Sequence, residues 1–375
     1  MTALLPNVDP DGLLEYSVVY TDRALNHMSQ AFQADMRYIN QTLKSVYNAE
    51  QIAIVPGSGT FGMEAVARQF ATGKKTLVIR NGFFSFRWTQ ILEVGNIASS
   101  STVLMARQGQ VGDTEPFAPA PINDVLDTIA REKPEVVFAP HVETSSGIIL
   151  PDGYIQAMAE AVHAVGGLLV LDCIASGCLW VDMQQLGVDV LVSAPQKGWS
   201  GSPFGGLIML GERGAAMLEN TTSTSFAADL KKWRDIMMAY VNGGHAYHAT
   251  MPTDAIAQFA EVMRETEEYG FAKVKQEQQD LGDAVRTMLA GRGIKSVAAT
   301  GFGAPGVVVS YTSDDGIHNG SKFVAEGMQI AAGVPLVCNE PAGYKTFRLG
   351  LFGLDKLHNI ERSVASLEAA LDKVL

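Results

Sequence analysis

The chain has 375 residues, of which 47% are hydrophobic and 18% charged, so it is long enough for a large domain plus a smaller one and too apolar for a disordered chain. Its formal net charge of -12 argues against nucleic acid as a partner, because phosphate backbones are bound by clustered Lys and Arg. The cysteines Cys173, Cys178 and Cys338 lack CxxC spacing and predict neither a disulfide framework nor a metal site.

The amino-terminal stretch MTALLPNVDPDGLLEYS carries Asp where a signal peptide needs basic and apolar segments. No uninterrupted apolar run reaches the ~18 residues that a membrane helix needs. We therefore expect a cytoplasmic protein that does not contact a membrane.

Short apolar runs alternate with helical patterns over the first 193 residues. Apolar residues at helical spacing predict helices at 59–71, 123–132 and 154–165. Several of the apolar runs lack polar alternation, as strands covered on both faces do. This alternation predicts a mostly parallel sheet with helices on both faces. The predicted strands are 51–56, 76–80, 101–106, 135–140, 167–172 and 188–193.

After about residue 250 the pattern changes to a long charged helical stretch, 253–293, that its glycines end. It is followed by a predicted strand at 306–312, a helix at 321–333, a strand at 345–353 and a final helix from 356. We expect a large domain over 22–255 and a small α/β domain over 256–375, with the segment 1–21 packed near the small domain.

Ligands of open α/β sheets bind beyond the carboxyl ends of the strands, so the loops at these ends are candidate sites. Gly57, Gly59 and Gly62 form a GxGxxG pattern that opens a helix, which indicates either a phosphate site or a tight turn. A dinucleotide site also needs an acidic residue after the next strand, where Arg80 and Asn81 stand instead.

Three further strand ends carry candidate residues. Asp172 ends an apolar strand, where a carboxylate needs a cationic or hydrogen-bonding partner, although an Asp that caps the following turn is an alternative. Lys197 follows a strand among small residues, where burial can lower its pKa and make the amine nucleophilic, although most lysines are solvated surface groups. Aromatic residues follow the strand at 76–80, and one of them, among Phe83, Phe84 and Phe86, can cover a flat ring.

These four features together describe a ligand with a phosphate, an aromatic ring, a basic ring nitrogen and an aldehyde, as in pyridoxal 5'-phosphate (PLP). The chain also resembles class V aminotransferases of PLP fold type I, in the alanine-glyoxylate and serine-pyruvate branch. The resemblance rests on LNHMSQAF, GSGTFGMEA, NGFFSFR, HVETSSGIILP, LLVLDCIASG, SAPQKGW, YHATMP and FRLGLFG, which occur in family order from residue 25 to residue 353.

The resemblance implies a large domain with a mostly parallel seven-stranded sheet and a smaller C-terminal α/β domain, as in aspartate aminotransferase. It implies transfer of an amino group from a small amino acid such as alanine or serine to a 2-oxo acid such as glyoxylate or pyruvate. Lys197 would be the Schiff base lysine and Asp172 the partner of the ring nitrogen, and both would be catalytic. The other implied cofactor ligands are Ser58, Gly59, Thr60 and Gln196 at the phosphate, and Phe84, Thr144 and Ile174 around the ring.

Three residues have implied roles beyond the cofactor site of one chain. Tyr247 and Thr250 match residues that reach the phosphate of the neighbouring subunit, which implies a homodimer with shared sites. Arg348 matches the arginine that holds the substrate carboxylate. Without the resemblance, His245 and His248 would be a weak candidate metal pair.

The amino-terminal segment departs from the family, because it lacks the glycine- and proline-rich loop that covers the substrate. Tyr16, Tyr20 and Thr21 are candidates to line the entrance instead. A PLP-dependent lyase acting on a β-substituted amino acid is the alternative function, because it needs the same cofactor chemistry. A desulfurase would need a mobile cysteine, and an NAD-dependent oxidoreductase would leave Lys197 and Asp172 without a role.

Overall fold

The computed structural model describes residues 9–375. The helices are α1 (Gln30–Tyr47), α2 (Gly59–Phe70), α3 (Phe83–Val94), α4 (Ile122–Glu132), α5 (Asp152–Ala164), α6 (Met183–Leu186), α7 (Glu212–Glu219), α8 (Leu230–Val241), α9 (Thr253–Tyr269), α10 (Phe271–Gly291), α11 (Asp315–His318), α12 (Ser321–Ala325), α13 (Leu354–Leu357) and α14 (Ile360–Val374). The strands are β1 (Gln51–Pro56), β2 (Lys75–Arg80), β3 (Ser100–Met105), β4 (Arg107–Gln108), β5 (Phe117–Ala118), β6 (Val136–Pro140), β7 (Val142–Glu143), β8 (Ile148–Ile149), β9 (Leu168–Asp172), β10 (Val190–Ser193), β11 (Gly205–Leu210), β12 (Val307–Tyr311), β13 (Ala331–Ala332) and β14 (Thr346–Gly350). None of these helices is long and apolar enough to span a membrane.

A seven-stranded sheet forms the centre of the large domain, in the order β1-β11-β10-β9-β6-β2-β3. Only β11 runs against its neighbours, and the remaining adjacent pairs are parallel. The central strands β6, β9 and β10 are buried along their whole length, because helices cover both faces of the sheet. The predicted fold class is therefore confirmed.

The strand β11 was not among the sequence predictions, because it follows a glycine-rich loop and itself begins with two glycines. Glycine has a low strand propensity, so the apolar residues Leu207 to Leu210 that follow the two glycines were not predicted as a strand. In the structure these glycines allow close packing of α2 on the sheet. A Cβ atom on Gly206 would lie 2.7 Å from the Cα of Gly62 in α2.

The smaller sheet has the order β12-β14-β13 and is antiparallel. The long helix predicted at 253–293 is divided into α9 and α10 at Gly270, which has a φ of 107°. The helix predicted at 321–333 is wrong beyond Ala325. Gly327 has a φ of 76°, which ends the helical path, and Ala331 and Ala332 then pair with β14 as an edge strand.

The apolar side chains divide into a core around the large sheet and a second core around α10 and α14. Phe259 and Met263 of α9 belong to the large core, whereas Val274 and Leu281 of α10 belong to the second one. Because this packing places α9 with the large domain, we propose that the domains divide at Gly270 rather than at the expected residue 256.

The amino-terminal residues lie against the large domain, not against the small domain as the sequence suggested. Asp11 accepts a hydrogen bond from the backbone of Gln30 at the start of α1, and Glu15 accepts one from the Asn26 side chain. The hydroxyl of Tyr20 donates to the carbonyl of Met251. Residues 1–8 of the expected segment lie outside the described residues.

The contact between Gly62 and Gly206 predicts that Gly206→Ala destabilises the protein by about 1–3 kcal/mol, because the added methyl group pushes α2 away from β11. The measurement is urea denaturation followed by circular dichroism. Gly153→Ala in α5 is the control, since a Cβ atom there meets nothing within 4 Å and removing a helical glycine is neutral or stabilising. Equal unfolding midpoints for the two variants would contradict the prediction.

Candidate active site

The loops at the carboxyl ends of the parallel strands enclose one cavity. Nine of the residues implied by the resemblance line it, together with Met63, Arg87, Val142 and Ala175, which the sequence analysis did not single out. The nine are Ser58, Gly59, Thr60, Phe84, Thr144, Asp172, Ile174, Gln196 and Lys197. They meet because β9 is in register with both of its parallel neighbours. Asp172, its last residue, lies opposite Pro140 of β6 and Val192 of β10.

Asp172 is a buried carboxyl group at the end of β9. It is 8% exposed, and its carboxylate accepts one hydrogen bond, 3.0 Å long, from the backbone N–H of Ile174. No ion pair of residues 9–375 includes it. Burial raises the pKa of Asp172 to about 7, because it disfavours the charged form, and the charge of Glu143 raises it further. The cavity thus presents a carboxyl group suited to a cationic ligand atom.

Lys197 faces the same cavity from the loop after β10. Burial lowers the pKa of its ammonium, and the positive charge of Arg348 lowers it further. Its Nζ lies 5.4 Å from the centre of the Phe352 ring. A lysine in these surroundings loses its proton more easily than a surface lysine, which suits a nucleophile or a base.

The glycine- and serine-rich loop after Lys197 is packed tightly against the protein. A Cβ atom on Gly198 would lie 2.0 Å from the backbone oxygen of Gly177, so only glycine fits there. The indole of Trp199 is buried, lies 4.6 Å from that of Trp180 and donates a hydrogen bond to the hydroxyl of Tyr47. These contacts hold the backbone that carries Lys197.

The first turn of α2 closes the cavity at another wall. Ser58 is the N-cap residue of this helix, and its side chain makes no capping hydrogen bond. Backbone N–H groups at an uncapped helix start suit an anion such as phosphate. A Cβ atom on Gly59 would lie 2.7 Å from the Cδ1 of Ile174, so the glycine lets the helix start approach the loop after β9.

The side chain of Glu143 holds the first turn of α3, which carries Phe84. It is fully buried and accepts hydrogen bonds from the backbone N–H groups of Phe84 and Ser85. The hydroxyls of Ser85 and Ser145 also donate to it, at 2.6 and 2.7 Å. The sequence analysis missed this role, although a charged residue followed by hydroxyl residues in HVETSSG could have indicated it. Glu143 thereby holds the backbone that carries Phe84.

Arg348 lies beside the cavity, whereas Tyr247 and Thr250 lie away from it. The Nε of Arg348 donates to the carbonyl of Ala332, and its Cζ is 5.5 Å from the centre of the Phe84 ring. Tyr247 is 54% exposed and hydrogen-bonds to Thr250 at 3.1 Å. Within one chain the structure therefore brings Arg348, but not Tyr247 or Thr250, to the cofactor cavity.

The other candidate residues lie outside the cavity. Tyr16 is 88% exposed. Tyr20 hydrogen-bonds to Met251, and Thr21 is exposed beside it. His248 bonds to the carbonyl of Phe226 while His245 packs on His27, and residues 9–375 contain no cluster of metal ligands.

The three cysteines are all buried and free. Burial raises the pKa of Cys178 and of Cys338 to about 12, and it also raises the pKa of Cys173. Since the thiolate is the reactive form of cysteine, none of these thiols has the surroundings of a catalytic nucleophile.

The fold matches solved structures of PLP-dependent aminotransferases of fold type I. The crystal structure of an alanine-glyoxylate aminotransferase from Nostoc sp. superimposes with a TM-score of 0.77 at 21% identity, over 93% of this chain and 88% of that one. The cavity described above occupies the carboxyl edge of the same sheet. The chain thus shares the fold of these enzymes.

The sequence comparison gives the family. The profile of Aminotransferase class-V matches residues 11–301, and the chain belongs to this family. The 2-aminoethylphosphonate–pyruvate transaminase 2 of Paraburkholderia xenovorans is 26% identical, over 94% of this chain and 90% of that protein. The alanine–glyoxylate aminotransferase of Oryctolagus cuniculus is 26% identical, over 92% and 86%. A Synechococcus protein named soluble hydrogenase, small subunit, is 24% identical, over 92% and 87%.

The burial of Asp172 predicts how the stability of the cofactor-free protein changes with pH. Its carboxyl stays protonated up to about pH 7 in the folded chain but ionises near its ordinary pKa of 3.8 in the unfolded chain. The free energy of unfolding should therefore fall between pH 4 and pH 7, by at most about 1.4 kcal/mol per pH unit from this group. Asp172→Asn, which cannot ionise, should remove this part of the fall. Chemical denaturation of both proteins across this range tests it, and parallel curves would refute it.

Proposed function

We propose that the protein transfers the amino group of a small amino acid, such as alanine or serine, to a 2-oxo acid such as glyoxylate or pyruvate. The observation that carries the proposal is the meeting of Lys197 and the unpaired, buried Asp172 in one cavity with Arg348 beside it. The names of the transaminase relatives support the class of substrate, since pyruvate and glyoxylate appear as their acceptors.

The residues of the cavity fit PLP. Asp172 offers its carboxylate to the ring nitrogen, and the uncapped start of α2 with Ser58, Gly59 and Thr60 offers donors to the phosphate. Gln196 adds a side-chain amide at the same end. Phe84 and Ile174 supply apolar surface for the ring faces, and Thr144 supplies a hydroxyl near the ring. Bound PLP supplies an aldehyde that condenses with amines and a ring that withdraws electrons from the carbon next to the amine.

Each catalytic residue of the chain has a proposed task. Lys197 would hold the aldehyde end of the cofactor at rest, and its free amine would remove the proton from the Cα of the amino donor during turnover. The lowered pKa of Lys197 favours the neutral amine that this task needs. Asp172, once paired with the ring nitrogen, stays ionised and keeps that nitrogen protonated. Arg348 binds the donor carboxylate through its guanidinium, which orients the Cα–H bond.

A second copy of the chain completes the proposed site. Tyr247 and Thr250 do not line the cavity of their own chain, and the hydroxyl pair they form is exposed. Phe226, which is 81% exposed, and Val18, which is fully exposed, add apolar surface that a partner subunit would cover. We propose a homodimer in which this pair reaches the cofactor phosphate of the other subunit. The proposed compartment is the cytoplasm, in keeping with three free thiols.

The activity is tested with the purified protein, PLP, and a panel of amino donors with glyoxylate or pyruvate as acceptor. We expect the amino group to appear on the acceptor, detected by mass spectrometry with ¹⁵N-labelled alanine or serine. Labelled ammonia released without an acceptor would instead support the lyase acting on β-substituted amino acids.

Lys197→Ala should abolish both the transfer and the visible absorbance of the lysine-bound cofactor. Lys231→Ala is the matched control, because Lys231 pairs with Glu219 on the surface and should leave both unchanged. Full transfer activity in the Lys197→Ala protein would overturn the proposal.

The shared site predicts a particle of twice the 40.2 kDa chain mass and complementation between inactive variants. Lys197→Ala and Tyr247→Ala/Thr250→Ala chains, each inactive at limiting PLP, should regain about a quarter of wild-type activity when co-expressed, because each mixed dimer holds one complete site. Light scattering and the transfer assay measure this. A chain carrying all three substitutions is the control, and no recovery in the mixed dimers would contradict a shared site.

A further inference from the structure

Arg87 is a cation on the cavity wall. It lies in the second turn of α3, is partly buried, and its guanidinium NH1 donates a hydrogen bond to the hydroxyl of Thr60 at 3.2 Å. Its Cζ is 4.8 Å from the centre of the Phe84 ring. Among residues 9–375 no carboxylate forms an ion pair with it.

Two arginines elsewhere in the large domain do have acidic partners. Arg68 of α2 binds Glu64 at 2.7 Å, and Arg264 binds Asp35 at 2.7 Å. Asp172 lines the same cavity, and the charge of Arg87 acts on it without forming an ion pair. A partly buried guanidinium without an ion-pair partner is unfavourable by itself, and an anionic ligand offsets this cost. The position of Arg87 therefore indicates an anion in the cavity.

The hydrogen bond to Thr60 indicates where this anion lies. Thr60 belongs to the first turn of α2, whose N-cap Ser58 leaves the first backbone N–H groups without a side-chain partner. The positive end of the helix dipole and the guanidinium therefore face the same part of the cavity. Gln196 also lines the cavity.

A second arginine, Arg348, lies near the cavity. An aminotransferase binds two anions, the substrate carboxylate and the cofactor phosphate. Arg348 contacts the same Phe84 ring but is bonded to Ala332 in the small domain, whereas Arg87 is bonded to the start of α2. We propose that Arg87 binds the phosphate of PLP together with the first turn of α2, an inference that rests on the proposed function.

The test compares PLP with pyridoxal, which forms the same bond with Lys197 but has no phosphate. Full-length wild-type protein, Arg87→Gln and Arg87→Lys are freed of cofactor and titrated with each aldehyde, with visible absorbance as the readout. Arg87→Gln should weaken PLP binding by about 10- to 100-fold, the loss expected for a hydrogen bond to a charged group, and leave pyridoxal binding unchanged. Arg87→Lys, which keeps the charge, should lose less.

Arg68→Gln is the control, because it removes an arginine of similar exposure that does not line the cavity, and it should change neither affinity. Added inorganic phosphate should compete with PLP less effectively in Arg87→Gln than in the wild type. The proposal is overturned if Arg87→Gln weakens both aldehydes equally, which would place its effect on the ring or the fold. It is also overturned if neither affinity changes, or if only the KM of the amino donor rises. If wild-type protein bound neither aldehyde, the proposed function itself would fail.

Discussion

The carboxyl group of Asp172 is the constraint on which the site depends. It ends a fully buried strand in the middle of the sheet, and no cation of the described chain pairs with it. A protein that keeps an acid there accepts a loss of stability unless a ligand supplies the opposite charge. Burial and the nearby positive charge of Arg348 lower the pKa of Lys197, which lines the same cavity. Charged groups of both signs in this cavity therefore lack ion-pair partners within the described chain. A molecule with a cationic ring nitrogen and an anionic phosphate supplies both partners.

The rest of the fold keeps these groups at fixed positions. The parallel register of β6, β9 and β10 brings three loops to one edge of the sheet. Trp199 anchors the loop that follows Lys197, and Glu143 ties the start of α3 to the loop after β6. Rigid supports of this kind matter because binding and proton transfer require the reacting groups to be oriented before the substrate arrives. Buried glycines at 59 and 198 serve the same purpose by letting backbone segments approach closely.

The small domain contributes differently, because its residues reach the cavity only through the way the two domains pack. Arg348 lies in β14, on the small sheet, yet it contacts the Phe84 ring of the large domain. A separate apolar cluster combines residues of both domains, among them Phe117, Ile148 and Val307. The position of Arg348, which we propose binds the substrate carboxylate, therefore depends on apolar packing between the domains.

The sequence by itself determined the class of fold and most of the cofactor cavity. Six strands of the large sheet could be predicted because they are short, mostly apolar runs. Asp172 stood out because it ends such a run, and Lys197 because it follows one closely, in a loop of small residues. The sequence pattern did not predict β11, because this strand begins with two glycines. It also predicted a helix where Ala331 and Ala332 form an edge strand.

Only the tertiary structure showed that Arg87 and Glu143 belong to the site, and that Tyr247 and Thr250 lie outside the cavity of their own chain. The physical reason is that these roles depend on distances between segments far apart in the chain. The surroundings of a residue at a strand end can be predicted from its neighbours in the sequence. The residue that pairs with a charged group depends instead on the packing of the whole molecule.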